Sequence, residues 1–177
     1  MITEKDMQHG RDFSGENVSG WLMSEKFNGC RAYWDGSTMW SRGGKVINIP
    51  QQMRVMLPVD LCLDGEIYCP VNFNNAKRAV QQSLFCESVV FIAFDIPSHP
   101  GNFAERYLHL SRLVKPHTNH VKLAVQYKCH GTESAIQFMK SIQTAGGEGV
   151  MLHDPADLYQ SGRTRGLLKL KMEPCHD

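Results

Sequence analysis

The pattern of apolar and polar residues changes character at Gly20. Residues 1–19 are polar, carry Gly10 and Gly15, and read as a leading arm. Trp21 to Lys26 then reads as a short strand. Arg31 to Trp34 alternates, Asp35-Gly36 supplies a tight turn, and Thr38 to Ser41 resumes the extended pattern, which together predict a hairpin. Pro50 and Pro58 bracket a short helix. Cys62 to Tyr68 reads as a strand stopped by Pro70, Asn74 to Glu87 has helical spacing, and the apolar run in Ser88 to Asp95 reads as a buried strand. Phe103 to Val114 predicts a helix and Val121 to Tyr127 a strand. Thr132 to Ala145 predicts a helix capped by Thr132 and stopped at Gly146-Gly147. Gly149 to Leu152 and Leu167 to Met172 complete the strands. Strands and helices mixed in this way predict an α+β fold, with mainly antiparallel sheets and flanking helices.

Length and charge narrow this picture. A chain of 177 residues holds one domain, or one domain and a small appendage. Hydrophobic residues at 42% and charged residues at 21% are ordinary for a globular protein and exclude disorder as the default. The net charge of +1 provides no general field for nucleic acid, so a binder must cluster its cations. Two stretches do so. Lys26, Arg31, Arg42, Lys45 and Arg54 stand against the single acid Asp35, and Arg163, Arg165, Lys169 and Lys171 stand against none.

None of the six cysteines forms a Cys-x-x-Cys pair, which argues against a zinc ribbon or a thioredoxin-like motif. His117 and His120 have helical spacing without a third ligand nearby and read as structural or solvated. No signal-peptide pattern or long apolar run is present, so a cytoplasmic, membrane-free protein is the expectation.

Five short motifs carry candidate chemistry. In Ser24-Glu25-Lys26-Phe27-Asn28-Gly29-Cys30-Arg31, a lysine at a strand end offers its amine to a cleft, and an amine made neutral by its surroundings is a nucleophile. In Leu63-Asp64-Gly65-Glu66, a carboxylate at a strand start can accept ribose hydroxyls or hold a hard cation. Phe94 in Phe91-Ile92-Ala93-Phe94-Asp95 is placed to stack on a base. Glu148, in Gly146-Gly147-Glu148-Gly149-Val150, suits a cation shared with phosphate oxygens. Lys169 and Lys171 lie on one face of a strand, where a phosphate could sit. Each motif taken singly also fits an ordinary turn, core residue or solvated face.

Their order resembles the nucleotidyltransferase superfamily of DNA ligases, RNA ligases and capping guanylyltransferases. Trp21 to Gly36, Ser41 to Gly44 and Tyr159 to Lys171 are most similar to the small bacterial and phage ATP-dependent DNA ligases. The resemblance implies the ATP-grasp-like ligase catalytic fold over residues 20–172, with residues 173–177 starting a linker and the family's OB-fold domain beyond this chain.

It also implies that Lys26 attacks the α-phosphate of ATP, forms lysyl-AMP, and passes AMP to the 5′-phosphate of a nick in duplex DNA. Lys169 and Lys171 would neutralise the α-phosphate, Glu66 would bind ribose, and Phe94 and Val150 would enclose adenine. Ser24 and Glu25 would lie at the adenine edge, Glu148 would hold Mg²⁺ or Mn²⁺, Arg31 would contact nucleotide or nick, and Arg42 would grip the nick phosphate. A monomer serving DNA repair, replication and recombination is the implied setting.

Asn28 stands where the family usually has aspartate, which keeps an RNA-joining relative and a non-catalytic polynucleotide-binding module as alternatives. NAD⁺ is disfavoured as AMP donor, because the chain lacks room for the additional N-terminal region such ligases carry. Without an OB-fold domain, self-adenylation is expected to be weak and nick sealing poor.

Overall fold

The computed structural model describes residues 1–114 and 119–171. Two twisted sheets carry the fold. A five-stranded sheet contains β1 (Gln8–Asp12), β2 (Leu22–Lys26), β9 (Tyr127–Lys128), β10 (Gly149–His153) and β11 (Gly162–Leu170), in the order β1-β11-β10-β2-β9. A six-stranded sheet contains β3 (Cys30–Trp34), β4 (Met39–Ser41), β5 (Val46–Ile47), β6 (Leu63–Tyr68), β7 (Val90–Asp95) and β8 (Val121–Leu123), in the order β5-β4-β3-β6-β7-β8. All pairings are antiparallel except β1 with β11 and β7 with β8. Helices α1 (Gln51–Arg54), α2 (Phe73–Gln82) and α3 (Phe103–Leu113) accompany the six-stranded sheet, and α4 (Thr132–Thr144) packs on the five-stranded one. The α+β reading with mainly antiparallel sheets agrees with this architecture.

Each sheet buries one face. Ile67, Phe91, Ala93, Leu110 and their neighbours form the larger core, and Met23, Val150, Leu152, Leu168 and Met139 form the core under α4. The opposite faces line the space between the sheets, and period-two alternation sorts the residues between them.

Four details depart from the sequence reading. The polar arm contains β1, which pairs in parallel with β11 and follows the fully buried Met7. Gln-His-Gly-Arg-Asp has no apolar alternation because it is an edge strand. Val121 to Tyr127 is two strands, one in each sheet, and the chain crosses over at Ala124–Gln126. The helix after Asn72 stops at Ser83, whose φ of 57° ends it short of Glu87. The last strand starts at Gly162, five residues before the apolar run that announces it. The linker residues 173–177 and His117 lie outside the described residues.

Two buried ion pairs tie helix, sheets and loops together. Arg106 of α3 is 1% exposed and bonds both carboxylate oxygens of Asp95, at 2.6 and 3.1 Å, as well as the carbonyls of Gly101 and Asp157. Truncating one partner of such a pair strands the other charge away from water. Arg106→Ala is therefore expected to cost about 3–5 kcal/mol, read as a lowered midpoint in urea unfolding.

Candidate functional site

A cleft of about 1400 Å³ opens between the two sheets. From the five-stranded sheet it receives Ser24, Lys26, Met151, His153, Lys169 and Lys171. From the six-stranded sheet it receives Arg31, Glu66 and Phe94, with Arg42 at its rim and Glu148 at its end. The sequence motifs thus converge on one cavity although they are spread over the whole chain.

Strand register explains the convergence. Ser24, Met151 and Lys169 are directly opposed across β2, β10 and β11, so they share a face, and Lys26 and Lys171 follow two residues along on that face. Gly149 lies opposite Lys26, which places the preceding Glu148 beside the lysine amine. Lys26 Nζ donates to Glu148 Oε2 at 2.6 Å, and Lys171 Nζ lies 3.3 Å from Oε1. One carboxylate therefore bridges the first-motif lysine and the last-motif lysine. Burial raises the Glu148 pKa, but the two ammonium groups outweigh it and hold the carboxyl below its ordinary value.

The same register corrects the assignment of Val150. It pairs with Glu25 and Leu170 on the α4 side, is fully buried in that core, and does not face the cleft. Met151, one residue on, does. Glu25, unlike Val150, is among the residues lining the cavity, with its Oε1 3.0 Å from where a Cβ on Gly147 would stand.

Arg31 lines the cleft and is also held from within the protein. Its Nε and Nη2 bond Asp64 at 2.6 and 2.7 Å, Nη2 also donates to the Gln8 carbonyl at 2.9 Å, and its guanidinium lies 5.0 Å from the Phe94 ring centroid. It stands against Phe94 with these donors occupied inside the protein. Asp64 additionally accepts from Tyr159 Oη at 2.6 Å, and that hydroxyl accepts from the Gln8 amide at 3.0 Å. Asp64, Tyr159 and Gln8 had no assigned role in the sequence reading. Asp64 and Glu66 are two residues apart on β6 and so share the face toward Arg31; Asp64 is the more deeply buried of the two.

Glu66 lines the cleft beside Gly29. A Cβ at residue 29 would meet the Ile67 carbonyl at 2.4 Å and Glu66 Cγ at 2.8 Å, so this glycine is required by close strand approach, not by a special turn. Arg42 sits exposed in the turn between β4 and β5 and pairs with Glu4, and Lys169 lies 3.2 Å from Asp12. Among the described residues no group of three or more His, Cys, Asp or Glu side chains is arranged to enclose a metal. None of their helices is long and apolar enough to cross a membrane.

Burial pushes the Glu66 carboxyl up to about 7, against the pull of Arg31 and Lys26. Because this lies above the ordinary 4.5, the folded protein keeps a proton that the unfolded chain releases. The resulting stability is fully present below pH 4.5 and is lost as pH rises toward 7. Glu66→Gln is expected to flatten that decline, measured as urea midpoint against pH.

Comparison with known proteins follows the same lines. A family model described as ATP dependent DNA ligase domain matches residues 19–171. A DNA ligase of Haemophilus influenzae (strain ATCC 51907 / DSM 11121 / KW20 / Rd) is 28% identical over 174 residues, covering 96% of this chain. The chain spans 65% of that relative's length. Among solved structures, a Lig E DNA ligase superposes with a TM-score of 0.83 at 27% identity, over 94% of this chain and 68% of that one. The Chlorella virus DNA ligase-adenylate gives 0.74 at 21% identity, over 97% and 68%, a likeness of fold.

Proposed function

The chain belongs to the family of ATP-dependent DNA ligase domains, and from that premise we propose that its cleft adenylates Lys26 and hands AMP to the 5′-phosphate of nicked DNA. The observation that carries this reading is the Lys26–Glu148–Lys171 bridge at the end of the cleft. An isolated surface lysine would have no reason to meet a second lysine, 145 positions later by their numbers (171 − 26), across one carboxylate.

The residues divide the work as follows. Lys26 Nζ forms the bond to the α-phosphorus, and pyrophosphate leaves. Lys26 Nζ is held on Glu148 Oε2 at 2.6 Å and cannot meet phosphorus while that contact lasts. Nucleotide binding must therefore draw Glu148 away from Lys26. Lys169 and Lys171 face the position of the α-phosphate and neutralise charge that builds up there. Phe94 offers a flat face to adenine, held from behind by Arg31, and Met151 rather than Val150 covers the opposite side. Ser24 lies on the cleft face near the base, Glu25 at its margin, and Glu66 accepts ribose hydroxyls. Arg42 leaves Glu4 for the nick phosphate, where its planar fork suits two phosphate oxygens.

Glu148 is the residue that would hold Mg²⁺ or Mn²⁺. A single protein carboxylate fits a cation that completes its shell with phosphate oxygens and water, as Mg²⁺ does. When bound, the cation supplies charge neutralisation at the triphosphate. Asn28 is exposed at the cleft and contributes hydrogen bonding there without a carboxylate's charge. We place the protein as a monomer.

Incubation with α-labelled ATP and Mg²⁺, followed by a denaturing gel, tests the reading. Label is expected on the wild-type chain and not on Lys26→Ala, with Glu148→Gln reduced by about 10²-fold or more. Transfer to nicked DNA in preference to nicked RNA distinguishes the DNA-joining reading from an RNA-joining one. The two sides of β10 separate in a second experiment. Met151→Ala is expected to raise the KM for ATP by roughly tenfold with little change in unfolding midpoint, while Val150→Ala lowers the midpoint and leaves KM nearly unchanged.

A further inference from the structure

The arm that precedes β1 ties the two sheets together at the rim of the cleft. It leads into the five-stranded sheet at Gln8, and before that it lies on the turn between β4 and β5 of the six-stranded one. There the Glu4 amide donates to the Arg42 carbonyl at 2.9 Å, and Arg42 Nη2 donates to the Glu4 carboxylate. The arm is fixed around that contact. Asp6 closes a short 3₁₀ turn by accepting from the Thr3 amide at 2.8 Å, and His9 Nε2 lies 2.9 Å from the Glu4 carbonyl. Gly44, with a φ of 78°, comes so near that a Cβ there would stand 3.1 Å from Thr3 Cγ2. Backbone contacts therefore hold Glu4 at Arg42, and the side-chain pair adds to them.

Glu4 contrasts with its surroundings. Lys5, Arg42, Lys45 and Arg163 line the same cleft, and His9 lies opposite Arg163 in the pairing of β1 with β11. A surface shaped only to attract a polyanion gains nothing from a carboxylate at this point. A carboxylate does share one property with phosphate: each offers two oxygens to the N–H groups of a guanidinium. While Glu4 holds Nη2, a second anion brought to that nitrogen meets the carboxylate's charge. The Arg42 and Glu4 side chains are 57% and 52% exposed, so their pair is weak in water. A terminal phosphate, with about two charges, can displace it.

We propose that Glu4 is an internal competitor for the 5′-phosphate of the nick: its carboxylate occupies the guanidinium of Arg42, and a phosphorylated end is gripped only as Glu4 gives that group up. The inference rests on the reading of Arg42 as the residue that meets the nick phosphate, and adds that the grip is contested from within the chain. A phosphorylated nick exchanges one anion for another at Arg42. The Glu4 side chain turns out to solvent, and its amide keeps the Arg42 carbonyl. A nick ending in a 5′-hydroxyl brings no terminal phosphate to exchange, and Arg42 stays paired.

The test titrates the full chain into two labelled nicked duplexes, identical except for a 5′-phosphate or a 5′-hydroxyl at the nick. Affinity is read by fluorescence anisotropy at low salt, with EDTA and without ATP, so that only binding is measured. The wild type is expected to prefer the phosphorylated nick, and Glu4→Gln to raise that preference by about two- to fivefold. Taking the ratio of the two affinities cancels the general gain toward DNA that loss of any acid brings. Glu16→Gln removes another acid of the arm, one bonded to Ser14, and is expected to leave the ratio unchanged. In Arg42→Ala the preference is expected to fall, and Glu4→Gln to add nothing to it. Both side chains are more than half exposed, so neither substitution endangers the fold. An Arg42-dependent preference that Glu4→Gln does not raise, or that Glu16→Gln raises equally, overturns this proposal and leaves the reading of Arg42 standing. A wild type indifferent to the 5′-phosphate, or an Arg42→Ala that keeps the preference, overturns both. Adenylation of Lys26 takes no part in these readouts.

Discussion

The cleft depends on a closed ring of hydrogen bonds among Gln8, Arg31, Asp64 and Tyr159. Asp64 is fully buried and belongs to the six-stranded sheet, as does Arg31, while Gln8 belongs to the five-stranded sheet and Tyr159 to the segment leading into β11. The Gln8 amide donates to Tyr159, Tyr159 donates to Asp64, and Arg31 donates to both Asp64 and the Gln8 carbonyl. The ring therefore staples the two sheets at a fixed spacing. A buried carboxylate is tolerated because each oxygen has a charged or hydroxyl donor, and a guanidinium fork meets that geometry better than an ammonium could.

Everything assigned to the nucleotide hangs from that spacing. Lys26, Met151, Lys169 and Lys171 face the cleft from one sheet, and Glu66 and Phe94 from the other. A shift of one sheet against the other would separate Lys26, proposed to attack, from Phe94 and Glu66, proposed to hold the base and sugar. Effective positioning is most of what phosphoryl-type transfer asks of a protein. Arg31 serves both ends of this arrangement: its donors close the ring, and its flat guanidinium backs the Phe94 ring.

Much of this was legible in the sequence, and the gaps have physical causes. Lys26, Glu66, Phe94, Glu148, Lys169 and Lys171 stood out because they occur in ordered short motifs, and the structure brings all six to one cavity. Val150 was misassigned because a motif names neighbouring residues without saying which way each points. Only the pairing of Val150 with Leu170 and of Met151 with Lys169 settles the face. β1 was missed because an edge strand covered on one side needs no apolar alternation. The division of Val121 to Tyr127 was missed because alternation reports a buried face but not which sheet owns it. The Asp64–Tyr159 bond joins residues 95 positions apart, and no local pattern encodes a contact of that kind.

The proposed chemistry requires a nucleotide to enter between the sheets and become bonded to Lys26. A crystal structure of the chain grown with ATP and Mg²⁺ tests it most directly. Density is expected to run continuously from Lys26 Nζ to the α-phosphorus, with adenine between Phe94 and Met151 and the Lys26–Glu148 contact broken. A nucleotide bound elsewhere, or lying in the cleft while Lys26 stays unmodified and paired with Glu148, would contradict it.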